Sequence, residues 1–322
     1  MGIHERNCGD KLPIIPNKNS VSPHSFQINQ LNIIHQPFHT MQKWFIFLGN
    51  SLLLKKQGDS YSVPEADETP TPTFEWTTIQ ELPMLDNMPC KAYSLTTPPR
   101  NGLPESFVTV DLRQSYYLLP RAHYFMAAKA SELLYWDNST RYCGVCGAPM
   151  KRHTAISKQC THCGKEVWPQ VAPAIIVRIK KAAIRDADGN IIEPEKILLV
   201  HARNFRHSER MGLVAGFVET GETLEECVVR EVHEEVQLDI TNIRYFGSQP
   251  WPYPCGIMIG FTADYVSGNI HLQEEELSRG SWFSRDKMPE IPDKMSIARQ
   301  LIDDWLHEPQ LAEGDKTATV QS

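Results

Sequence analysis

Residues 216–238 read GFVETGETLEECVVREVHEEVQL. The mostly apolar run from Met211 to Val218 predicts a short strand, and Gly216 interrupts it where backbone must come close to something. Gly221 marks a tight turn. Thr223, followed three residues later by Glu226, predicts a capping box that opens a helix. Leu224, Cys227, Val228 and Val232 recur at helical spacing and predict one buried face. Arg230, Glu231, Glu234 and Glu235 lie on another face. Glu231 and Glu235 are four apart, so their carboxylates stack on one side of the helix, and Glu234 flanks them. Arg230, four residues before Glu234, is placed to hold it. Carboxylates crowded in this way repel one another, and a cation relieves the repulsion. Hard oxygen ligands suit Mg²⁺ or Mn²⁺, which share such carboxylates with substrate phosphates. A solvated acidic face with i,i+4 pairs is the competing account.

The order of residues weighs against that account. Gly216, five residues, Glu222, seven residues, then Arg230-Glu231-Val232-x-Glu234-Glu235 resembles the box of the Nudix hydrolases. The family carries Gly two residues after the last Glu, and this chain has Gln237. Gly there acts as a left-handed helix cap, and another residue in that conformation costs roughly 1 kcal/mol. The departure therefore bears on the helix exit and not on the acidic side chains.

Cys143-Gly-Val-Cys146 and Cys160-Thr-His-Cys163 are two C-x-x-C pairs separated by thirteen residues. Each has a Gly nearby for a tight knuckle, and together they match a tetrahedral Cys₄ zinc ribbon. Four thiolates close the shell, so the Zn²⁺ is expected to be structural. A redox dithiol is the alternative, and a single pair would serve it. Cys8, Cys90, Cys227 and Cys255 read as a tail thiol and packing residues. Clustered cysteines favour a metal over disulfides, hence a reducing, cytoplasmic setting.

The 322 residues are enough for two domains with a small insert, and the net charge of -7 argues against a strongly cationic nucleic-acid clamp. The longest apolar run, Trp44 to Leu54, is broken at Gly49-Asn50-Ser51 and is far short of the roughly 20 residues of a membrane span. A hairpin at Gly49-Asn50 is expected instead. A start at Met41 would give this run the look of a signal peptide, but the polar break opposes that. Residues 1–40 lack sustained patterning and are expected to be a disordered tail. WFIFL, SLLL, KAYSL and FVTVDL predict strands of a small α+β domain over 41–136, with a helix from Ala122 to Trp136. The ribbon is expected over 137–170, the Nudix domain over 171–310 and a disordered tail over 311–322. In the Nudix part, strands are expected at Ala174 to Lys180, Lys196 to Arg203, Ile243 to Gly247, Gly256 to Tyr265 and Ser281 to Phe283. A turn is expected at Asp186 to Asn190 and a helix from Met295 to His307. The resemblance implies an α/β/α sandwich with a mixed sheet.

Ser248-Gln249-Pro250-Trp251-Pro252-Tyr253-Pro254 has three prolines around two aromatics, read as a stiff loop able to stack an aromatic base. A Pro-rich turn pinned by Trp251 is the plainer account. Behind a Cys₄ ribbon and just after a Nudix box, this segment resembles the NAD(H) pyrophosphatase branch, whose bacterial members also remove NAD caps from RNA. The resemblance implies that Gln249, Pro250, Trp251, Pro252, Tyr253, Pro254, Cys255 and Gly256 meet the dinucleotide. It implies the same for Trp168 and for the backbone of Ala298. It also implies that the Ala215 carbonyl and Glu276, the latter in a Glu-Leu-x₄-Trp pattern ending at Trp282, join Glu231 and Glu235 as ligands of Mg²⁺ or Mn²⁺. Glu234 is a further ligand or the base, and Glu222 and Arg230 orient loop and helix. A homodimer is implied. The expected activity is hydrolysis of NAD(H) to nicotinamide mononucleotide and AMP, and removal of NAD caps. Two rivals stand beside it. One is a pyrophosphatase for ADP-ribose or another nucleotide sugar. The other is a ribbon-bearing nucleic-acid-binding regulator whose Nudix domain only senses a ligand.

Overall fold

The computed structural model describes residues 40–74, 77–99, 102–203 and 209–308. The tails expected over 1–40 and 311–322, with Cys8, fall outside these apart from Thr40.

The first domain is a seven-stranded sheet with helices against it. Its strands are β1 (Gln42–Leu48), β2 (Ser51–Gln57), β3 (Ser60–Ser62), β4 (Glu65–Ala66), β5 (Gln80–Leu85), β6 (Met88–Leu95) and β7 (Phe107–Asp111). A short α1 (Leu112–Ser115) and a long α2 (Arg121–Ser139) follow. The expected hairpin is present, with Leu48 opposite Ser51 and Gly49 at φ 58°. β1 then pairs β6 in parallel. Alternation along β1 and β2 sends Phe45, Phe47, Leu52 and Leu54 toward Tyr124, Ala127, Ala130 and Leu134 of α2. Trp44, Ile46 and Leu53 pack on the other face with Tyr93.

Three short strands, β8 (Met150–Thr154), β9 (Ser157–Cys160) and β10 (Glu166–Val167), form the ribbon. The remaining strands are β11 (Ala172–Lys181), β12 (Ile184–Arg185), β13 (Ile191–Glu193), β14 (Lys196–Ala202), β15 (Val214–Phe217), β16 (Asp239–Trp251), β17 (Gly256–Ser267) and β18 (Leu277–Ser284). Helix α3 (Leu224–Val236) precedes β16, and α4 (Ile297–His307) closes the fold. The main sheet runs β16-β17-β11-β14-β18, with β15 also on β11. β11 and β17 are parallel and the other pairs antiparallel, which makes the sheet mixed. Cys227, Val228, Val232 and Val236 of α3 cover one face over Ile175, Val177 and Val214. Ile297, Leu301, Ile302 and Trp305 of α4 cover the other over Ile176, Ile197 and Leu199. Each such fully buried aliphatic side chain contributes about 1.5–3 kcal/mol. This is the expected α/β/α sandwich.

The main difference from expectation is at β16. It begins at Asp239 and runs through Ser248, Gln249 and Pro250 to Trp251, which pairs with Gly256. Four residues read as loop are strand. The prolines misled because β16 is an edge strand, where a missing N–H removes no obligatory ladder bond.

Candidate active site

Strand β15 lies against α3 with almost no room between them. A Cβ on Gly216 would meet the Glu231 carboxylate at 1.9–2.2 Å, so only glycine lets the acid lie on the strand. Glu231 and Glu235 are 8% and 3% exposed. Both therefore sit at the helix–strand seam beside the apolar face, whereas Glu234 alone of the three points to water. Burial pushes the Glu235 carboxyl up to about 8, with Glu231 and Glu276 adding like charge and the Ala215 N–H opposing the rise. Burial also raises Glu231, against the pull of Arg230.

Arg230 ties the box together. Its Nε and Nη2 donate to both Glu222 oxygens at 2.9 and 2.7 Å, and Nη1 donates to Glu231 at 2.9 Å and Glu234 at 3.0 Å. Nη2 also reaches the Phe217 carbonyl at 3.0 Å, which joins helix to strand. Arg230, with a further N–H from Glu219, holds Glu222 down at about 2. The capping box is present: Thr223 Oγ1 accepts from the Glu226 N–H at 3.2 Å and Glu226 accepts from the Thr223 N–H at 2.7 Å. Gln237 adopts the left-handed conformation, φ 55° and ψ 41°, so the helix ends as the family pattern requires without its glycine.

Glu276 reaches the site by a device invisible in the spacing. The His271 and Gln273 N–H groups donate to the Val236 and Glu235 carbonyls at 3.1 and 3.0 Å, capping the end of α3. The chain then turns, with Glu276 N–H on the Gln273 carbonyl at 3.1 Å. Its charge is felt at both Glu231 and Glu235. The donor set is all hard carboxylate oxygen, and Glu235 has no cation paired with it among the described residues. Hard oxygen donors of this kind fit a divalent ion, which Glu231, Glu235 and Glu276 would hold, and Ala215 meets Glu235 through its N–H. Among the described residues the cysteine sulfurs are the group whose ligand atoms all lie within 4.8 Å. The acids are spaced more widely, which suits ions shared with substrate phosphates rather than a closed protein cage.

The four cysteines fit zinc closely. Cys143 and Cys163 sulfurs are 3.6 Å apart and those of Cys146 and Cys160 3.4 Å, against the roughly 3.8 Å edge of a tetrahedron with 2.3 Å bonds. Both separations are far longer than a disulfide bond. Gly147 and Gly164 follow the second Cys of each pair with φ 73° and 74°, the same knuckle twice. Backbone N–H groups of Cys163 and His162 pull the Cys160 thiol down to about 6, and those of Cys146 and Val145 lower Cys143. Such donors favour thiolate, the form that binds metal.

The expected substrate residues are not all brought together. Gln249 is buried, and its amide N–H donates to the Met295 carbonyl at 2.7 Å, which places it at the start of α4 near Ala298. Its Oε1 has no hydrogen-bond partner among the described residues. Trp251 and Tyr253 meet edge to face at 5.1 Å. The Arg113 guanidinium, from α1 of the first domain, lies 5.1 and 4.2 Å from their ring centroids. The Tyr253 hydroxyl meets that of Tyr124 at 3.3 Å, and Pro252 is buried while Pro254 is exposed. The segment is thus held to the first domain, and no motif marks Arg113 as its partner. Cys255 and Gly256 form the turn into β17, where a Cβ on Gly256 would crowd the Trp251 carbonyl at 3.2 Å. Trp168 is half exposed, outside the contacts that join Trp251, Tyr253 and Arg113. Phe217-Ala174-Met258-Gln249 form one row across β15, β11, β17 and β16, so the box and the Trp251 segment share one end of the sheet.

Comparison with known proteins agrees with this architecture. Residues 183–305 match the NUDIX domain, 41–136 the NADH pyrophosphatase-like rudimentary NUDIX domain, and 138–167 the NADH pyrophosphatase zinc ribbon domain. A Pseudomonas aeruginosa protein named NAD-capped RNA hydrolase NudC is 37% identical over 242 residues, covering 72% of this chain and 81% of its own. A Pectobacterium atrosepticum protein of the same name is 43% identical over 181 residues, and the match spans 56% of this chain and 64% of that protein, less than two thirds of its length. A NUDIX hydrolase structure from Nitrosomonas europaea covers 52% of this chain and 91% of its own at 18% identity, with a TM-score of 0.41, too low to bear on the argument. The chain belongs to the Nudix hydrolase family, in the branch that carries a rudimentary NUDIX domain and a zinc ribbon. Both of these relatives bear the name NAD-capped RNA hydrolase NudC.

Proposed function

We propose that this chain hydrolyses the pyrophosphate of NAD(H) to nicotinamide mononucleotide and AMP, and removes NAD caps to leave a monophosphate RNA end. The observation that carries this is the seam where Glu231 and Glu235 lie buried against β15, near enough to Glu276 to feel its charge. Divalent ions, held by Glu231, Glu235 and Glu276, would neutralise developing charge and lower the pKa of the attacking water. The chain's own part is to hold that geometry. Gly216 admits Glu231, Arg230 fixes Glu222, Glu231 and Glu234, and the capped end of α3 presents Glu276. Water attacks one phosphorus, the bridging P–O bond breaks, and each product leaves with a phosphate. All box acids are present, which supports catalysis over ligand sensing.

Zn²⁺ on Cys143, Cys146, Cys160 and Cys163 is read as structural, and Mg²⁺ or Mn²⁺ as catalytic. A homodimer and a cytoplasmic location belong to the same reading. No helix among the described residues is long and apolar enough to cross a membrane. Chromatography of products after incubation with NADH and Mg²⁺ or Mn²⁺ tests the activity. Glu235→Gln should reduce turnover by about 10² or more with the fold kept; full activity in that variant would remove the metal site from the mechanism.

A further inference from the structure

We infer that a groove along α2, from the zinc ribbon to the Pro252-Tyr253-Pro254 turn, carries the single-stranded body of a capped RNA. This rests on the reading of capped RNA as a substrate. Two cavities, about 480 and 610 Å³, meet at Ser94, Leu134 and Asn138 and so form one groove. One end is walled by Arg141, Arg152 and Lys158, and the other by Arg113, Tyr253 and Pro254. Between them Ser131, Leu134, Tyr135 and Asn138 of α2 line the floor. That helical stretch is about 10 Å long, room for on the order of two nucleotides.

The charge of this groove runs against that of the chain. Four cations, Arg113, Arg141, Arg152 and Lys158, line it with two carboxylates, Asp111 and Asp137, in a protein of net charge -7. Asp137 is shared by Arg152 at 2.9 Å and Lys158 at 3.0 Å; Lys158 is buried and also donates to the Asp137 and Thr140 carbonyls, so Arg113, Arg141 and Arg152 are the cations open to phosphate. Arg141 is exposed, and its partner among the described residues is the neutral Asn138 at 2.6 Å. These cations come from α1, the segment just after α2, β8 and β9, so no run of sequence announces them. Exposed Tyr135 offers a flat face in the part of the groove that Arg113 lines. Cations with interleaved aromatics are the arrangement that binds single strands without reading sequence. The far end of the groove is the turn that follows Trp251, which links it to the end of the sheet where the box lies.

The test is anisotropy of a short, 3′-labelled, NAD-capped single-stranded oligoribonucleotide without divalent ions, beside NADH turnover with them. Arg141→Glu should weaken oligonucleotide binding about tenfold or more and reduce its salt slope by about one, with NADH turnover within about twofold of the parent. Tyr135→Ala should weaken binding several-fold with the same NADH turnover. Oligonucleotide binding that is absent in the parent, or equal in parent and Arg141→Glu, overturns the groove. Loss of NADH turnover in the parent itself overturns the proposed activity and leaves the binding result to stand alone.

Discussion

A Cβ on Gly216 would stand 1.9 Å from the carboxyl carbon of Glu231. Backbone and acid are as near as the residue types allow, so the strand fixes where the carboxylate lies. Gly216→Ala is expected to push α3 off β15, costing about 1–3 kcal/mol of stability as overpacking does. Turnover should fall more than the melting shift explains, because Glu231 moves with the helix. Thermal melting with NADH hydrolysis on the same sample checks this. Parent-like activity would mean that the carboxylate's position is not set by the strand.

Gln237 holds a left-handed backbone, φ 55°, that costs a non-glycine residue about 1 kcal/mol. Gln237→Gly is expected to raise stability by about that amount, seen as a higher urea midpoint with unchanged slope. A lower midpoint would show that the Gln side chain contributes more than its backbone strain removes.

Burial pushes Glu132, on α2, up to about 7 from 4.5. Its folded value lies above its unfolded one, so between these the native state holds the extra proton. The stability that the protonated acid contributes is whole below about 4.5 and is lost as pH rises through about 7. Glu132→Gln should therefore melt with the parent at the acid end and above it at pH values beyond 7. Identical melting curves across the range would show that the carboxyl is not desolvated.

The Cys160 sulfur accepts N–H groups from His162 and Cys163 at 3.4 Å and completes the four-sulfur cluster. Cys160→Ser is expected to abolish stoichiometric zinc and lower the melting temperature, as removal of a structural ion does. Zinc measured by atomic absorption decides it: full occupancy in the variant would contradict a closed four-thiolate shell.

Local chemistry made much of this legible beforehand. Thr223 and Glu226 bond each other across three residues, and Arg230 and Glu234 across four, because helix geometry brings those positions together. The cysteine pairs are likewise short-range. Residues 239–251 were harder, since Pro250 and Pro252 suggest a loop until their strand is known to lie at the sheet edge. Helical spacing puts Glu231 and Glu235 on one acidic face, but the approach of β15 at Gly216 buries them. Arg113 could not be found at all. It lies far from Trp251 in the chain, and only tertiary packing lays it on that ring. Glu276 stood in a recognisable pattern, yet the amides of His271 and Gln273 that deliver it carry no side-chain signature.

Arg113 and Tyr124 grip Trp251 and Tyr253 from a domain that holds none of the acidic ligands. In the proposed function, where Trp251 and Tyr253 meet the dinucleotide, substrate preference is therefore heritable through the N-terminal half. A chimera that exchanges residues before the ribbon for those of a relative would inherit that relative's aromatic clamp, and its discrimination among dinucleotides with it, while the hydrolytic half stays unaltered.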